Sequence, residues 1–334
     1  MLFVTVPSRR IVTFGAIASL AALTACDQPA TAPAMPLTAS AARGGIGGPL
    51  PTRYVLPGSS VFPEGIAYDQ RTQRVFVSST TNGAVFAGHA SEEDLSAFLA
   101  PGADGRTTAV GLDVDDDGHL FVAGGATGFV FVYDANSGAL IERLSGGSTP
   151  TFINDIAVDG DGVAYITDSM SPVIYRVVPD GAGGYTIERW LALAGTPIVY
   201  TTGFNLNGIV VSSNGRYLFT IQSNTGKLYR IDIATKEIVQ LDVGGATFPA
   251  GDGLWLHGNS LYVLQNQQEL ITELRVQPNQ STATVVSQTT DESFRFPTSL
   301  VIARGRFLVV NSQFDRRASA TPVLPFTVSV VPVP

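Results

Sequence analysis

The segment NGIVVSSNGRYLFTIQS, residues 207–223, decides the fold. A β-branched run, Ile209 to Val211, leads through Ser-Ser-Asn-Gly into a second run, Tyr217 to Ile221, which is the pattern of two antiparallel strands joined by a tight turn. Five other segments share that form. They are PEGIAYDQRTQRVFVSS (63–79), VGLDVDDDGHLFVAGG (110–125), NDIAVDGDGVAYITDS (154–169), DGLWLHGNSLYVLQN (252–266) and PTSLVIARGRFLVVNS (297–312). Taking Glu64, Val110, Asn154, Asn207, Asp252 and Pro297 as equivalent first positions, the spacings are 46, 44, 53, 45 and 45 residues. A fixed period of this kind marks a repeat architecture. Second hairpins follow from Phe129, Val173 and Gly226, so each unit holds four strands, the content of a propeller blade. The expected fold is all-β: a six-bladed β-propeller with four antiparallel strands per blade. Two β-sandwich domains would not require six equal units.

An open ring would leave unpaired strand edges. The last unit ends after three strands, while a strand-like piece, Arg53 to Leu56, precedes the first blade. Tyr54 to Leu56 is therefore expected to supply the outermost strand of the last blade.

Composition agrees with a packed chain. Of 334 residues, 45% are hydrophobic and 14% charged, with 35 Gly and 20 Pro, which excludes a coiled coil or a largely disordered chain. A net charge of −8 repels a phosphate backbone, so no nucleic-acid partner is expected. The single Cys excludes an internal disulfide, a zinc quartet and a redox pair. Residues 1–25 read as a signal peptide: Arg9 and Arg10 precede an apolar stretch from Ile11 to Leu23 that is short for a membrane span. Leu23-Thr24-Ala25-Cys26 resembles a bacterial lipobox, which implies lipidation of Cys26 and a membrane-anchored lipoprotein in the cell envelope. Residues 26–51, rich in Ala, Pro, Thr and Gly, read as a flexible tether, and 52–334 as the propeller, expected to be a monomer.

Equivalent first residues of the inner strands converge on one ring around a propeller axis. Two carboxylates (Glu64, Asp252), two carboxamides (Asn154, Asn207) and two apolar residues (Val110, Pro297) would form it. Oxygen donors without thiol or imidazole suit a hard cation such as Ca²⁺. The three histidines, His89, His119 and His257, fall in or beside turns, which argues against a histidine zinc site. Asp113 to Gly118 looks like the start of a calcium loop, but its twelfth position is Gly124 where a bidentate Glu is needed, so a hairpin turn is expected.

These residues resemble the family of senescence marker protein (regucalcin), gluconolactonase and luciferin-regenerating enzyme, and more distantly paraoxonases and strictosidine synthase. The resemblance covers residues 53–334 and is carried by Pro63-Glu64-Gly65, Asn154-Asp155 followed by Val158-Asp159-Gly160-Asp161-Gly162, Asn207-Gly208 before Ser213-Asn214-Gly215, and Asp252-Gly253. It implies Ca²⁺ or another divalent cation held by Glu64, Asn207 and Asp252, with Asn154 as ligand or substrate-orienting amide. It also implies hydrolysis of a small-molecule lactone or ester, with Asp252 and Asn154 as the catalytic residues and Asp252 a candidate general base, metal-activated water being an equal candidate. The sugar-acid lactonases of that family carry an Arg two residues before the Asn of the third blade. Here the position is Phe152, which implies a less polar substrate.

If an inner strand starts at the ligand face, its antiparallel partner ends there. Those ends carry Ser78, Ser79, Asp168, Ser169, Gln222, Asn224, Gln265, Asn266, Asn311 and Gln313. Of these, Asp168, Asn266 and Asn311 are expected to line the substrate pocket with Phe152. The alternative is a non-catalytic propeller that binds a ligand or protein on the same face around a structural metal, since fold does not dictate function.

Overall fold

Short runs of Val, Ile, Phe and Tyr broken by Gly- and Asn-containing turns pair in chain order, and among the described residues they build six four-stranded antiparallel sheets. The protein is seen here as a computed structural model that describes residues 48–147, 149–318 and 321–334. The expected signal peptide, Cys26 and the tether as far as residue 47 lie outside the described residues.

Blade one comprises Pro63–Asp69, Arg74–Ser79, Val85–His89 and Ser96–Leu99; blade two Leu112–Val114, His119–Ala123, Phe129–Asp134 and Leu140–Ser145. Blade three comprises Ile153–Val158, Ala164–Asp168, Val173–Pro179 and Tyr185–Ala192; blade four Leu206–Val211, Tyr217–Gln222, Lys227–Asp232 and Ile238–Gln240. Blade five comprises Gly251–His257, Ser260–Gln265, Leu270–Val276 and Ala283–Thr289. Blade six takes Pro297–Ala303, Arg306–Asn311 and Phe326–Pro332 from the end of the chain and Arg53–Leu56 from near its start. Arg53 pairs with Ser329 and Leu56 with Phe326, as the closure of the ring requires. Tyr54 is buried in this seam, and its hydroxyl donates to the Ala90 carbonyl of blade one at 2.7 Å.

The second strands show why the repeat reads as continuous hydrophobic runs. Each is covered on both faces, so alternate residues serve opposite neighbours. Val75 and Val77 pack towards blade six while Phe76 packs towards blade two. Ala164 and Ile166 pack towards blade two while Tyr165 packs towards blade four. Six apolar clusters result, one at each interface between blades. The Asp113 to Gly118 segment is a hairpin turn between Leu112–Val114 and His119–Ala123, with Asp115 accepting from the His119 amide at 2.7 Å.

The inner strands carry a repeated irregularity. The register slips between Pro63 and Ile66, Ile153 and Ile156, Leu206 and Ile209, Gly251 and Leu254, and Pro297 and Leu300, so that two residues oppose one. Such bulges redirect a side chain that regular pairing would place elsewhere. The first bulge residues are Glu64, Asn154, Asn207, Asp252 and Thr298, with Val110 level with them in blade two, where pairing begins at Leu112 and Val122. The sixth ring position is therefore Thr298, not Pro297. Pro297 corresponds to Pro63, and the ring holds one apolar residue instead of two.

The residue after four of the six ring positions is a glycine that faces the neighbouring inner strand at very short range. A Cβ on Gly65 would lie 2.3 Å from the Val110 carbonyl oxygen, on Gly111 2.6 Å from that of Asn154, on Gly208 2.3 Å from that of Asp252, and on Gly253 2.7 Å from that of Thr298. Only glycine allows this approach. In blade three the equivalent residue, Asp155, instead spans the gap, accepting from the Ile209 amide at 3.0 Å. Replacing Gly208 by Ala is expected to destabilise the protein by about 3 kcal/mol, because the obstructing atom is backbone. Gly160→Ala, where an added Cβ meets nothing within 4 Å, is the control and should leave the urea midpoint nearly unchanged. Equal midpoints for the two variants would contradict the close-approach account.

Candidate active site

Glu64, Val110, Asn154, Asn207 and Asp252 come from five blades and line one cavity of about 760 Å³ at the end of the axis where the inner strands begin. Pro297 and Thr298 do not line it. Thr298 is fully buried and its hydroxyl donates to the Glu64 carbonyl at 2.9 Å, joining blade six to blade one.

The polar atoms of this ring are held in specific orientations. The Ser169 hydroxyl accepts from Asn154 Nδ2 at 2.7 Å and donates to the Leu206 carbonyl at 2.6 Å. Ser223 does the same one blade on, accepting from Asn207 Nδ2 at 3.1 Å and donating to the Gly251 carbonyl at 2.5 Å. With each serine proton committed to a carbonyl, only the amide nitrogen satisfies the serine oxygen, and this sets which way the carboxamide turns. Asn266 Nδ2 donates to Asp252 Oδ2 at 2.9 Å. Three buried acceptor oxygens remain without a donor: Glu64 Oε2, Asn154 Oδ1 and Asn266 Oδ1. A buried acceptor left unsatisfied costs roughly 1–3 kcal/mol, so three such atoms around one cavity mark a place built for something electropositive.

The carboxylates carry the same message. Burial pushes Glu64 well above the usual carboxylate range, with Asp252 and Asp155 adding to the effect. Burial also raises Asp252 to about 7, although the hydrogen bond from Asn266 favours the charged form. Behind them, Asp155 and Asp113 are each raised to about 7 by burial, while the backbone amides they accept from pull the other way. Among the described residues no cation pairs with any of these four. No group of three or more His, Cys, Asp or Glu that could hold a metal occurs among the described residues either. The axial set is of another kind: two carboxylates supplemented by carboxamide oxygens. All its free donors are oxygen, so its chemistry fits a hard divalent cation such as Ca²⁺.

The expected pocket residues divide. Phe152 and Asn266 line the cavity, with the Phe152 ring edge-on to Phe204 at 5.0 Å between centroids. Asp168 and Asn311 lie outside its lining. Asp168 accepts from the Thr151 hydroxyl and from the amides of Phe152, Met170 and Ser171, and Asn311 accepts from the Arg295 amide. They belong to a ring of equivalent buried residues, Ser79, Asp168, Gln222, Gln265 and Asn311, each tied to the loop entering its own blade's inner strand. Strand alternation turns the next residue the other way, and Thr80, Ser169, Ser223, Asn266 and Ser312 are those neighbours. Of these ten positions, Thr80, Ser223 and Asn266, all in the second set, line the cavity. Ser223, Thr80 and Phe204 were not singled out from the sequence. The period would have found the first two, whereas Phe204 sits in the loop behind the long 53-residue spacing.

Residues 62–254 match the SMP-30/Gluconolactonase/LRE-like region. The lactonase drp35 of Staphylococcus haemolyticus is 25% identical over 191 residues, 56% of this chain and 55% of that protein. Its counterpart from Staphylococcus aureus strain USA300 is 25% identical over 190 residues, with the same coverage. The chain thus matches over about half the length of these relatives. Among solved structures, the major Malassezia sympodialis allergen Mala s 1 superposes with a TM-score of 0.63 at 14% identity, covering 85% of this chain and 96% of the other. Virginiamycin B lyase from Staphylococcus aureus gives 0.55 at 10% identity, covering 84% and 98%. At such identities these two likenesses show the fold alone.

The buried carboxylates make stability depend on pH in a definite sense. In the unfolded chain Asp titrates near 4; in the folded, cation-free protein Asp113, Asp155 and Asp252 hold protons up to about 7. Their contribution is complete below the unfolded value and is lost as pH rises through the folded one. The urea midpoint of chelator-treated protein is expected to fall between pH 5 and pH 8, and added Ca²⁺ should restore it at pH 8. A midpoint that rises over this interval without Ca²⁺ would contradict the burial of uncompensated carboxylates.

Proposed function

The chain belongs to the SMP-30/gluconolactonase/LRE-like family, and from that membership together with its axial oxygens we propose that it is a calcium-dependent hydrolase of a small-molecule lactone or ester. The observation that carries the proposal is the set of unpartnered buried oxygens, Glu64 Oε2, Asn154 Oδ1 and Asn266 Oδ1, grouped with Asp252 on one cavity. Glu64, Asn154, Asn207 and Asp252 would hold the cation. Asn266, expected to contact substrate, adds a free oxygen to the same set. When bound, a divalent cation polarises a carbonyl oxygen and stabilises the negative charge that develops during acyl transfer.

The chain's own groups would do the rest. Asn154 has its amide nitrogen committed to Ser169, so its oxygen faces the cavity and the residue serves as an oxygen donor. Asp252 is oriented by Asn266 and is the candidate general base. Water adds to the acyl carbon as Asp252 takes its proton. The bond from acyl carbon to leaving oxygen then breaks, and the proton passes to that oxygen, giving an acid and an alcohol, or a hydroxy acid from a lactone. Phe152 and Phe204 line one side of the cavity with apolar rings and favour an apolar acyl or aryl group. Export and lipidation at Cys26 would place the enzyme, as a monomer, in a bacterial cell envelope.

Calorimetric titration of the chelator-treated protein with Ca²⁺ tests the site, and a screen of lactones and aryl esters tests the activity. One ion should bind, and Glu64→Gln should abolish binding. Asp252→Asn should fold and lose about 10²–10⁴ in kcat, the usual contribution of a general base. Turnover that survives Asp252→Asn undiminished would remove Asp252 from the mechanism, and absence of Ca²⁺ binding by folded protein would remove the cation.

A further inference from the structure

The cavity carries one charge that the hydrolytic chemistry leaves unused. Arg317 follows a single 3₁₀ turn, Phe314–Arg316, between the second and third strands of blade six, and it is the one basic side chain lining the cavity among the described residues. Its guanidinium lies 5.0 Å from the Phe62 ring centroid and 4.9 Å from that of Phe314, and it donates to the Thr80 hydroxyl. Two rings and a hydroxyl hold the group in place.

The surrounding backbone is held as well. Phe62 and Phe296 have φ of 43° and 53°, a left-handed conformation that costs a side-chain-bearing residue roughly 1–3 kcal/mol. Phe62 is buried, and Phe296 packs against Phe314 at 6.3 Å between centroids. Among the described residues no carboxylate pairs with Arg317; the adjacent Asp315 is 3.8 Å from Arg316 instead. Arg317 is an exposed residue whose guanidinium is only partly desolvated, and that partial desolvation lowers its pKa from the usual value. A guanidinium with occupied faces retains N–H groups on its edge, and that edge matches a planar carboxylate. Glu64 and Asp252, on the same cavity, disfavour a dianion such as a phosphate monoester.

We propose that Arg317 is a specificity-determining residue that binds a carboxylate on a substrate whose apolar body lies against Phe152, Phe204, Phe296 and Phe314. The substrate class is then an amphipathic monoanion. The term substrate rests on the hydrolase proposal, whereas the binding preference does not. The test is an equilibrium one: calorimetric affinities of 4-phenylbutyrate and its neutral amide, 4-phenylbutanamide, for the wild type, Arg317→Ala and Arg317→Gln at fixed Ca²⁺. Because a hydrogen bond to a charged group contributes about 1.5–3 kcal/mol, the wild type should prefer the carboxylate by about ten- to a hundredfold. Both variants should bring the ratio close to one, and the ratio within each variant is its own control for folding. Equal affinities in the wild type, binding of neither compound, or a preference that survives both substitutions would overturn the proposal; in the last case the anion would be meeting the axial cation. Failure of the hydrolase proposal would look different: no turnover of 4-nitrophenyl valerate by wild-type protein whose carboxylate preference is intact.

Discussion

The close approach of neighbouring inner strands is the constraint on which the rest of this structure depends. Backbone meets backbone around the axis because Gly65, Gly111, Gly208 and Gly253 present no side chain there, and a Cβ on any of them would fall within 2.7 Å of a carbonyl oxygen next door. The gap is bridged directly: the Gly111 amide donates to the Asn154 carbonyl at 2.8 Å, and the Thr167 hydroxyl to the Asn207 carbonyl at 2.8 Å. Such contacts tie each blade to the next at the narrowest radius. The residue before Gly65, Asp155, Gly208 and Gly253 is the one that the bulge frees, which is how Glu64, Asn154, Asn207 and Asp252 reach a common cavity.

That arrangement has an electrostatic cost. Removing carboxylates from water disfavours their charged form, and the axis collects Glu64, Asp252, Asp155 and Asp113 with no basic residue paired to them among the described residues. Hydrogen bonds from Ile209, Val158 and Asn266 offset only part of this. Ser169 and Ser223 add to the acceptor excess, since they turn the oxygens of two carboxamides towards the same cavity by holding their nitrogens. An arrangement that concentrates acceptors and withholds donors would be stabilised by the hard cation proposed for it. Structural satisfaction and ligand binding are therefore one problem here.

The period made the architecture legible. Six hairpins at near-equal spacing define the blades, and the surplus piece at Arg53 to Leu56 defines the closure. The period also located five of the six ring positions. It misplaced the sixth, because Pro297 begins its segment as Pro63 does and a bulge shifts the ring by one residue. The polar ends of the second strands were harder. Asp168 and Asn311 look like pocket residues by composition, yet strand alternation points them at the entry loops, while Ser223, one residue on, orients a ring amide. Phe204 and Arg317 lie in loops of unequal length, where no period operates and only the folded chain shows what faces the cavity.

The most direct measurement is anomalous diffraction from crystals of residues 48–334 grown with Mn²⁺ in place of Ca²⁺. A single peak about 2.0–2.6 Å from side-chain oxygens of Glu64, Asn154, Asn207 and Asp252 is the predicted result, the range expected for oxygen ligands of such ions. A well-ordered cavity with no peak at that point, and with Glu64 and Asn154 bonded to protein or water donors instead, would contradict it.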